Sequence, residues 1–282
     1  ENVNVYKSLT IKSTSGNPAD TIVRAANSND HVFNVTVDYV NISGFTVEGA
    51  TAWRKGGIHL FQTSHCNITG IHALSNYDGI FLDFSSNNTI TNNTMLENSA
   101  GIHLHYSSDN MITDNDMSNN NYGIYLGWYS TKNNTVTNNT ASNNRYGIYM
   151  GDLSNNRITN NTILNNHYGI YLWYSSDSNI ENNTVSNNYY GIKLWKSGSN
   201  SLTNNLMSGN RYNLDIEGES LPDYVQSIDT SNLIEGKPVY YWVDKKDKQI
   251  SCDAGFVGIV NSTNITVKDL ILKNNGEGIL LI

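Results

Sequence analysis

The sequence predicts an all-β protein: a right-handed single-stranded parallel β-helix of about ten coils, each with three short strands. Three observations carry that expectation. Gly-Ile-like dipeptides recur at Gly57, Gly79, Gly101, Gly123, Gly147, Gly169 and Gly191, with Asn213 in the next place, at steps of 22 residues broken by one of 24. A fixed period in the twenties is the mark of a solenoid. Within a coil, apolar residues alternate in three short runs; in the coil that starts at Gly169 these supply Ile170 and Leu172, then Ile180, then Val185. Asparagine returns in register, three residues before each glycine, at Asn76, Asn98, Asn120, Asn144, Asn166, Asn188 and Asn210. A leucine-rich repeat is the other solenoid of this period, but leucine is scarce and no segment carries a helical apolar period. Right-handedness follows from the rule for parallel crossovers.

Taken in order, residues 1–56 alternate loosely and hold about two coils, with Val35 in register one longer coil before Ile58. Residues 57–213 are regular. One inward ladder runs Ile58, Ile80, Ile102, Ile124, Ile148, Ile170 and Ile192, beside Leu60, Leu82, Leu104, Leu126, Met150, Leu172 and Leu194. A second ladder runs Ile68, Ile90, Ile112, Val136, Ile158, Ile180 and Leu202. Stacked about 4.8 Å apart, the Asn76–Asn210 column and a second one, Asn93, Asn115, Asn139, Asn161, Asn183 and Asn205, can exchange amide hydrogen bonds from coil to coil. Asparagine also tolerates the left-handed backbone that a tight corner needs. The 24-residue step places two extra residues within 127–132, a candidate lip of a surface groove. Residues 214–255 lose the Asn columns and read as a decorated excursion with a small β element, after which 256–282 form the final coils. The whole chain, 1–282, reads as one domain.

Composition narrows the function. Of 282 residues, 38% are hydrophobic and 15% charged, and no apolar run is long enough to span a membrane. A formal charge of −8 disfavours a nucleic-acid partner, which demands clustered Lys and Arg. Cys66 and Cys252 are too far apart in any stacking order for a disulfide and read as two buried free thiols. The chain begins at Glu1 inside a strand-like pattern, which leaves room for a removed signal peptide or further coils.

The coil "GIYLxxSSxNxIxNNTxSNNxYG", followed by "EGKPVYYWVDKKDKQI" and "DAGFVGIVNSTNITVKDL", resembles the NosD-like right-handed parallel β-helix family, also described as carbohydrate-binding and sugar-hydrolase repeats. The resemblance covers nearly the whole chain. It implies the fold strongly and activity weakly, because lyases, hydrolases, epimerases, adhesins and coat proteins share such repeats. In its cell-surface form it looks like proteins of methanogenic archaea, and the family name carries an association with copper-enzyme maturation.

The outward positions of the first strand form the unusual surface. Two residues after each glycine stand His59, Phe81, His103, Tyr125, Tyr149, Tyr171 and Lys193; four after stand Asp83, His105, Trp173 and Trp195. Rings on a rigid sheet suit the apolar faces of sugars, so Phe81, Tyr106, Tyr125, Trp128, Tyr149, Tyr171, Trp173 and Trp195 are candidate carbohydrate contacts. The plainer alternative is that aromatic residues favour strands and pair across them. The Tyr122, Tyr146, Tyr168, Tyr190 and Tyr212 column reads as structural. For acid–base chemistry the candidates are Asp83, His103, His105 and Asp109, since a carboxylate beside an imidazole makes a workable base. A solvated Asp–His pair is the commoner explanation, and the Asp-Asp, Gly-His-Gly and Arg-Ile-Lys signatures of pectin lyases and polygalacturonases are not found. His103, His105 and Asp83 are also the candidate metal ligands. No cofactor is implied.

Sequons at Asn34, Asn41, Asn67, Asn87, Asn92, Asn133, Asn138, Asn160, Asn182, Asn261 and Asn264 are compatible with glycosylation, although "NNT" supplies one per coil. The expected role is an extracellular structural or adhesive module of an archaeal cell envelope, partnered by envelope polysaccharide, neighbouring surface proteins or copies of itself. A polysaccharide-processing enzyme is the first alternative and a copper-accessory protein the second.

Overall fold

A computed structural model describes residues 1–127, 131–152 and 154–282. Three parallel sheets run the length of a prism. The first begins with Val3–Val5 and Phe33–Val35 and continues through six-residue strands such as Asp78–Asp83, Ala100–His105 and Tyr168–Trp173 to Tyr212–Glu217. Three-residue strands make the second sheet, Thr89–Thr91 and Met111–Thr113 among them, and the third, with Thr94–Leu96 and Asp116–Ser118. The class is as the period predicts, with about twelve turns rather than ten. Past Tyr212–Glu217 the third sheet goes on, with Leu233–Ile234 turning back to pair antiparallel with Lys237–Val243. Ser227–Ile228 and Leu233–Ile234 still pair in parallel with the coil before, and Lys237–Val243, Phe256–Val260 and Leu280–Leu281 extend the third sheet. Lys246–Gln249 and Thr263–Thr266 pair apart, as a separate two-stranded sheet. No helix among the described residues is long and apolar enough to cross a membrane.

Register follows the sequence ladders: Ile80 pairs with Ile58 and Ile102, Leu82 with Leu60 and Leu104, and Ile90 with Ile68 and Ile112. All of these side chains are fully buried. A one-residue slip would turn every one of them to solvent, which fixes the register.

The corners divide labour between two adjacent residues. The left-handed position is held by the residue before each ladder asparagine, as in Asn119 (φ 56°), Asn143 (φ 56°) and Asn165 (φ 58°). The ladder asparagine itself turns inward. Asn120 is typical: its backbone N–H donates to Asn144 Oδ1 at 2.8 Å, and its Nδ2 donates to that oxygen and to the carbonyl of Met95, each at 3.1 Å. The sequence shows two such columns; the structure has a third, Asn88, Asn110, Asn134, Asn156, Ser178 and Asn200, at the corner between the first and second sheets. Ser178 interrupts its lettering, and that substitution hid it.

The glycine column has a steric cause. A Cβ on Gly147 would lie 2.6 Å from the carbonyl oxygen of Gly169 and 2.8 Å from Ile163 Cγ2. Gly147→Ala is therefore expected to lower stability by about 2 kcal/mol, as overpacking does, read as a shifted denaturant midpoint. Cys66 is buried as expected, but Cys252 is exposed, on a turn of the C-terminal decoration that no coil covers.

Candidate functional site

Outward side chains of the first sheet lie one coil apart in direct register, so each column becomes a stack. One stack runs His31, His59, Phe81, His103 and Tyr125, with successive ring centroids 3.9, 5.0, 4.8 and 4.6 Å apart. Phe81 is 3% exposed. Its two faces are covered by His59 and His103, so it offers no face to a sugar. Tyr122, Tyr146, Tyr168 and Tyr190 stack likewise, at 4.8, 4.9 and 5.0 Å. Tyr125 leans across Gly127 and Tyr149 across Gly151, glycines whose missing side chains make the room. Burial and the neighbouring phenols push the Tyr149 hydroxyl far above its ordinary pKa, and burial pushes Tyr171 up to about 12. The Tyr149 and Tyr171 phenols therefore stay neutral, and Tyr125 meets Tyr149 edge-on with centroids 5.3 Å apart.

Trp173 and Trp195 differ. Their indoles stack at 5.8 Å, 3° from parallel, and both are half-buried, with the Lys196 ammonium 4.6 Å from the Trp195 ring. Tyr106 stacks on the exposed Phe84 at 4.9 Å. Trp128, and with it half of the expected lip, lies outside the described residues.

The acid–base candidates separate in space. Asp83 pairs with His105 as the register predicts, Oδ1 to Nδ1 2.6 Å. Burial lowers the His105 pKa against the opposing pull of Asp83. His103 belongs to a different carboxylate: its Nδ1 is 3.1 Å from Oδ2 of Asp78, and the two residues are 4% and 1% exposed. Asp109 is exposed at a left-handed corner, where it accepts a hydrogen bond from Asn133. That corner follows the strand rather than lying in it, so Asp109 does not share the outward face of His103.

Around this stack the surface is hollow. A cavity of about 220 Å³ is lined by Trp53, Arg54, Tyr77, Asp78, Ser99, Ala100, His103, Tyr122 and Tyr125. A second, of about 350 Å³, includes His31, Lys55, His59, Phe81 and Asp83. Arg54 lines both, so the loop that carries it divides one groove into two chambers. Nε2 of His59 and of His103 are buried without a hydrogen-bond partner. Burial first, then His31 and Lys55, lower the His59 pKa to about 2, so this imidazole is neutral. Asp78, Arg54 and Lys55 escaped the sequence reading. The signal available was the longer coil before Ile58, whose extra residues form this loop.

At the far end of the same face Lys193 meets Asp215 at 2.5 Å and Glu217 at 2.8 Å. Burial opposes its charge, but the two carboxylates outweigh that and hold the ammonium above its ordinary pKa. Glu277 is pushed up to about 7, by burial first and then by Asp215 and Glu217.

A three-sheet solenoid with one chemically furnished face places the chain among the right-handed parallel β-helix proteins. It belongs to the NosD family, described as periplasmic copper-binding protein (NosD), whose family model matches residues 2–128 and 39–244. No curated protein matches the sequence. Among solved structures, the complex of XylC with xylose aligns with a TM-score of 0.58 at 15% identity, over 76% of this chain and 40% of that one. A point mutant of the periplasmic alginate epimerase AlgG aligns at 0.53 and 14% identity, over 97% of this chain and 67% of that one. The alginate lyase from Paenibacillus sp. str. FPU-7 aligns at 0.54 and 13% identity, over 76% and 95%. At such identities the likeness is one of fold. This chain spans well under half the length of the XylC structure.

Copper does not fit the residues present. No group of three or more His, Cys, Asp or Glu among the described residues is arranged to hold a metal ion. The His103 and His105 rings lie 6.3 Å apart, each tied at Nδ1 to a different aspartate. Soft ligands are scattered as well: Met95, Met117, Met150 and Met207 are core residues and Cys66 is buried alone.

Proposed function

We propose that the protein is a rigid, non-cytoplasmic module that contacts polysaccharide along the outward face of its first sheet, in a structural or adhesive role at the cell envelope. The carrying observation is the contrast between sheets. The first sheet turns outward a groove, a tryptophan pair and buried charges, whereas the second turns outward Thr69, Thr91, Thr113 and Thr137 in succession. Xylose, alginate and a periplasmic setting appear in the names of structures with this fold, which supports a sugar polymer as partner and an exported location.

The tryptophan pair is the expected platform for sugar rings. On an array of neutral and acidic polysaccharides the wild type is expected to bind, and Trp173→Ala with Trp195→Ala to weaken binding about tenfold, the worth of one good ring contact. A wild type that binds no glycan would remove the reading. Processing of the polymer is a second reading, favoured by one observation: Asp78 holds His103 in the groove with Nε2 unpartnered.

A further inference from the structure

The cavity of about 220 Å³ contains more than a sugar platform requires. His103 and Asp78 are both nearly inaccessible, and the bond between Nδ1 and the carboxylate fixes the proton on Nδ1. Nε2 is then a bare lone pair, buried and without a partner, the arrangement that makes an imidazole a base. Arg54 lines the same cavity and forms no ion pair among the described residues, although acidic residues outnumber basic ones 25 to 17. Its guanidinium lies 4.9 Å from the ring of the adjacent Trp53. Tyr122 and Tyr125 line the cavity as well.

Elimination narrows the chemistry. Glycoside hydrolysis by the common route needs two free carboxyl groups about the scissile bond. Here Asp78 and Asp83 each already hold an imidazole nitrogen. Acyl transfer needs a nucleophile bonded to the base, and His103 Nε2 bonds to none. A base and an unpaired guanidinium in one cavity match proton abstraction beside a carboxylate, where the cation neutralises the charge that develops.

We propose that this cavity is a proton-transfer site for hexuronate-containing polysaccharides, with Arg54 on the sugar carboxylate and His103 Nε2 taking the proton from the carbon that bears it. The C5–H bond breaks, its proton moves to Nε2 and its electron pair spreads into the carboxylate. Two completions balance without a co-reactant. Either the pair forms a C4–C5 double bond as the C4–O bond breaks, the departing oxygen receiving a proton from a phenol such as Tyr122, or C5 is reprotonated from the opposite face. Burial and neighbouring tyrosines raise the Tyr122 pKa, which keeps that phenol a proton donor.

This inference rests on the polysaccharide reading, and its test separates the two. Wild-type protein is incubated in D2O with polygalacturonate, polymannuronate and polyguluronate, with dextran as the neutral control. Deuterium at uronate C5 is read by mass spectrometry and unsaturated ends by ultraviolet absorbance. C5 exchange or unsaturated ends are expected on at least one polyuronate, that activity falling about 100-fold in His103→Gln and about as far in Arg54→Gln. Arg54 lies on a surface loop, so its variant retains the fold and keeps the test meaningful should His103→Gln unfold. Binding of any glycan with neither exchange nor unsaturated ends overturns the proton-transfer site and leaves the binding module standing. Exchange that survives both substitutions overturns the assignment of residues, and no binding to any polymer overturns both.

Discussion

Asn144→Ala is expected to lower stability by about 4 kcal/mol. The side chain is almost completely buried, and Oδ1 accepts from both the backbone N–H and the Nδ2 of Asn120, at 2.8 and 3.1 Å. Its Nδ2 donates to the carbonyl of Met117 and to Asn166 Oδ1, each at 3.1 Å. Alanine would strand the Asn120 N–H and the Met117 carbonyl in the interior, at about 1–3 kcal/mol each, and open a small void. The preceding Asn143 supplies a sharp control. It has the same chemistry but stands exposed at φ 56°, so Asn143→Ala removes only the left-handed preference, about 1 kcal/mol. Equal shifts in denaturant midpoint for the two variants would show that the inward ladder is not what holds the coils in register.

The contrast within one Asn-Asn dipeptide shows how legible this fold is. Period and alternation identify the inward ladders residue by residue, because each inward position sees only the same position one coil away. The asparagine columns are equally plain wherever the letter repeats, and the third is hidden where Ser178 stands in for asparagine, its Oγ accepting the Asn156 N–H at 3.2 Å. The site was legible only in part. Asp83 opposite His105 follows from register alone. Asp78 could not be paired with His103 in that way: the two are offset by 25 residues, three more than a coil, and lie at different points along adjacent strands. Arg54 belongs to a loop outside the repeat, whose path no periodicity dictates. Ring stacking follows the plainer of the two readings for Phe81, whose faces are covered by His59 and His103. Aromatic residues in consecutive coils lie close enough to cover one another, so a column of rings mostly consumes the faces that a ligand would need.

At the other end of the face, Asp215→Ala is expected to cost about 4 kcal/mol, because it leaves the Lys193 ammonium, 8% exposed, with only the half-exposed Glu217 as partner. Replacing both members, Lys193→Met with Asp215→Leu, removes the stranded charge and should recover most of that loss. Glu277 gives the same cluster a pH signature. Its segment forms the next rung on Tyr212–Glu217, with Asn213 N–H donating to the Asn274 carbonyl at 2.6 Å and Gly276 N–H to that of Leu214 at 3.0 Å. The folded pKa of about 7 lies above the ordinary value of 4.5, so the folded state binds the extra proton between them. That contribution is complete below about pH 4.5 and is lost as the pH rises through about 7. Wild-type thermal midpoints should therefore decline from about pH 5 to about pH 8 more steeply than those of Glu277→Gln, which carries no proton to lose. Removing Asp215 also removes one of the charges that raise Glu277, so the slope should flatten in Asp215→Ala as well. If Asp215→Ala leaves both the midpoint and the slope unchanged, Lys193 reaches water in solution, and this end of the face is an ordinary hydrated surface rather than a buried charge cluster.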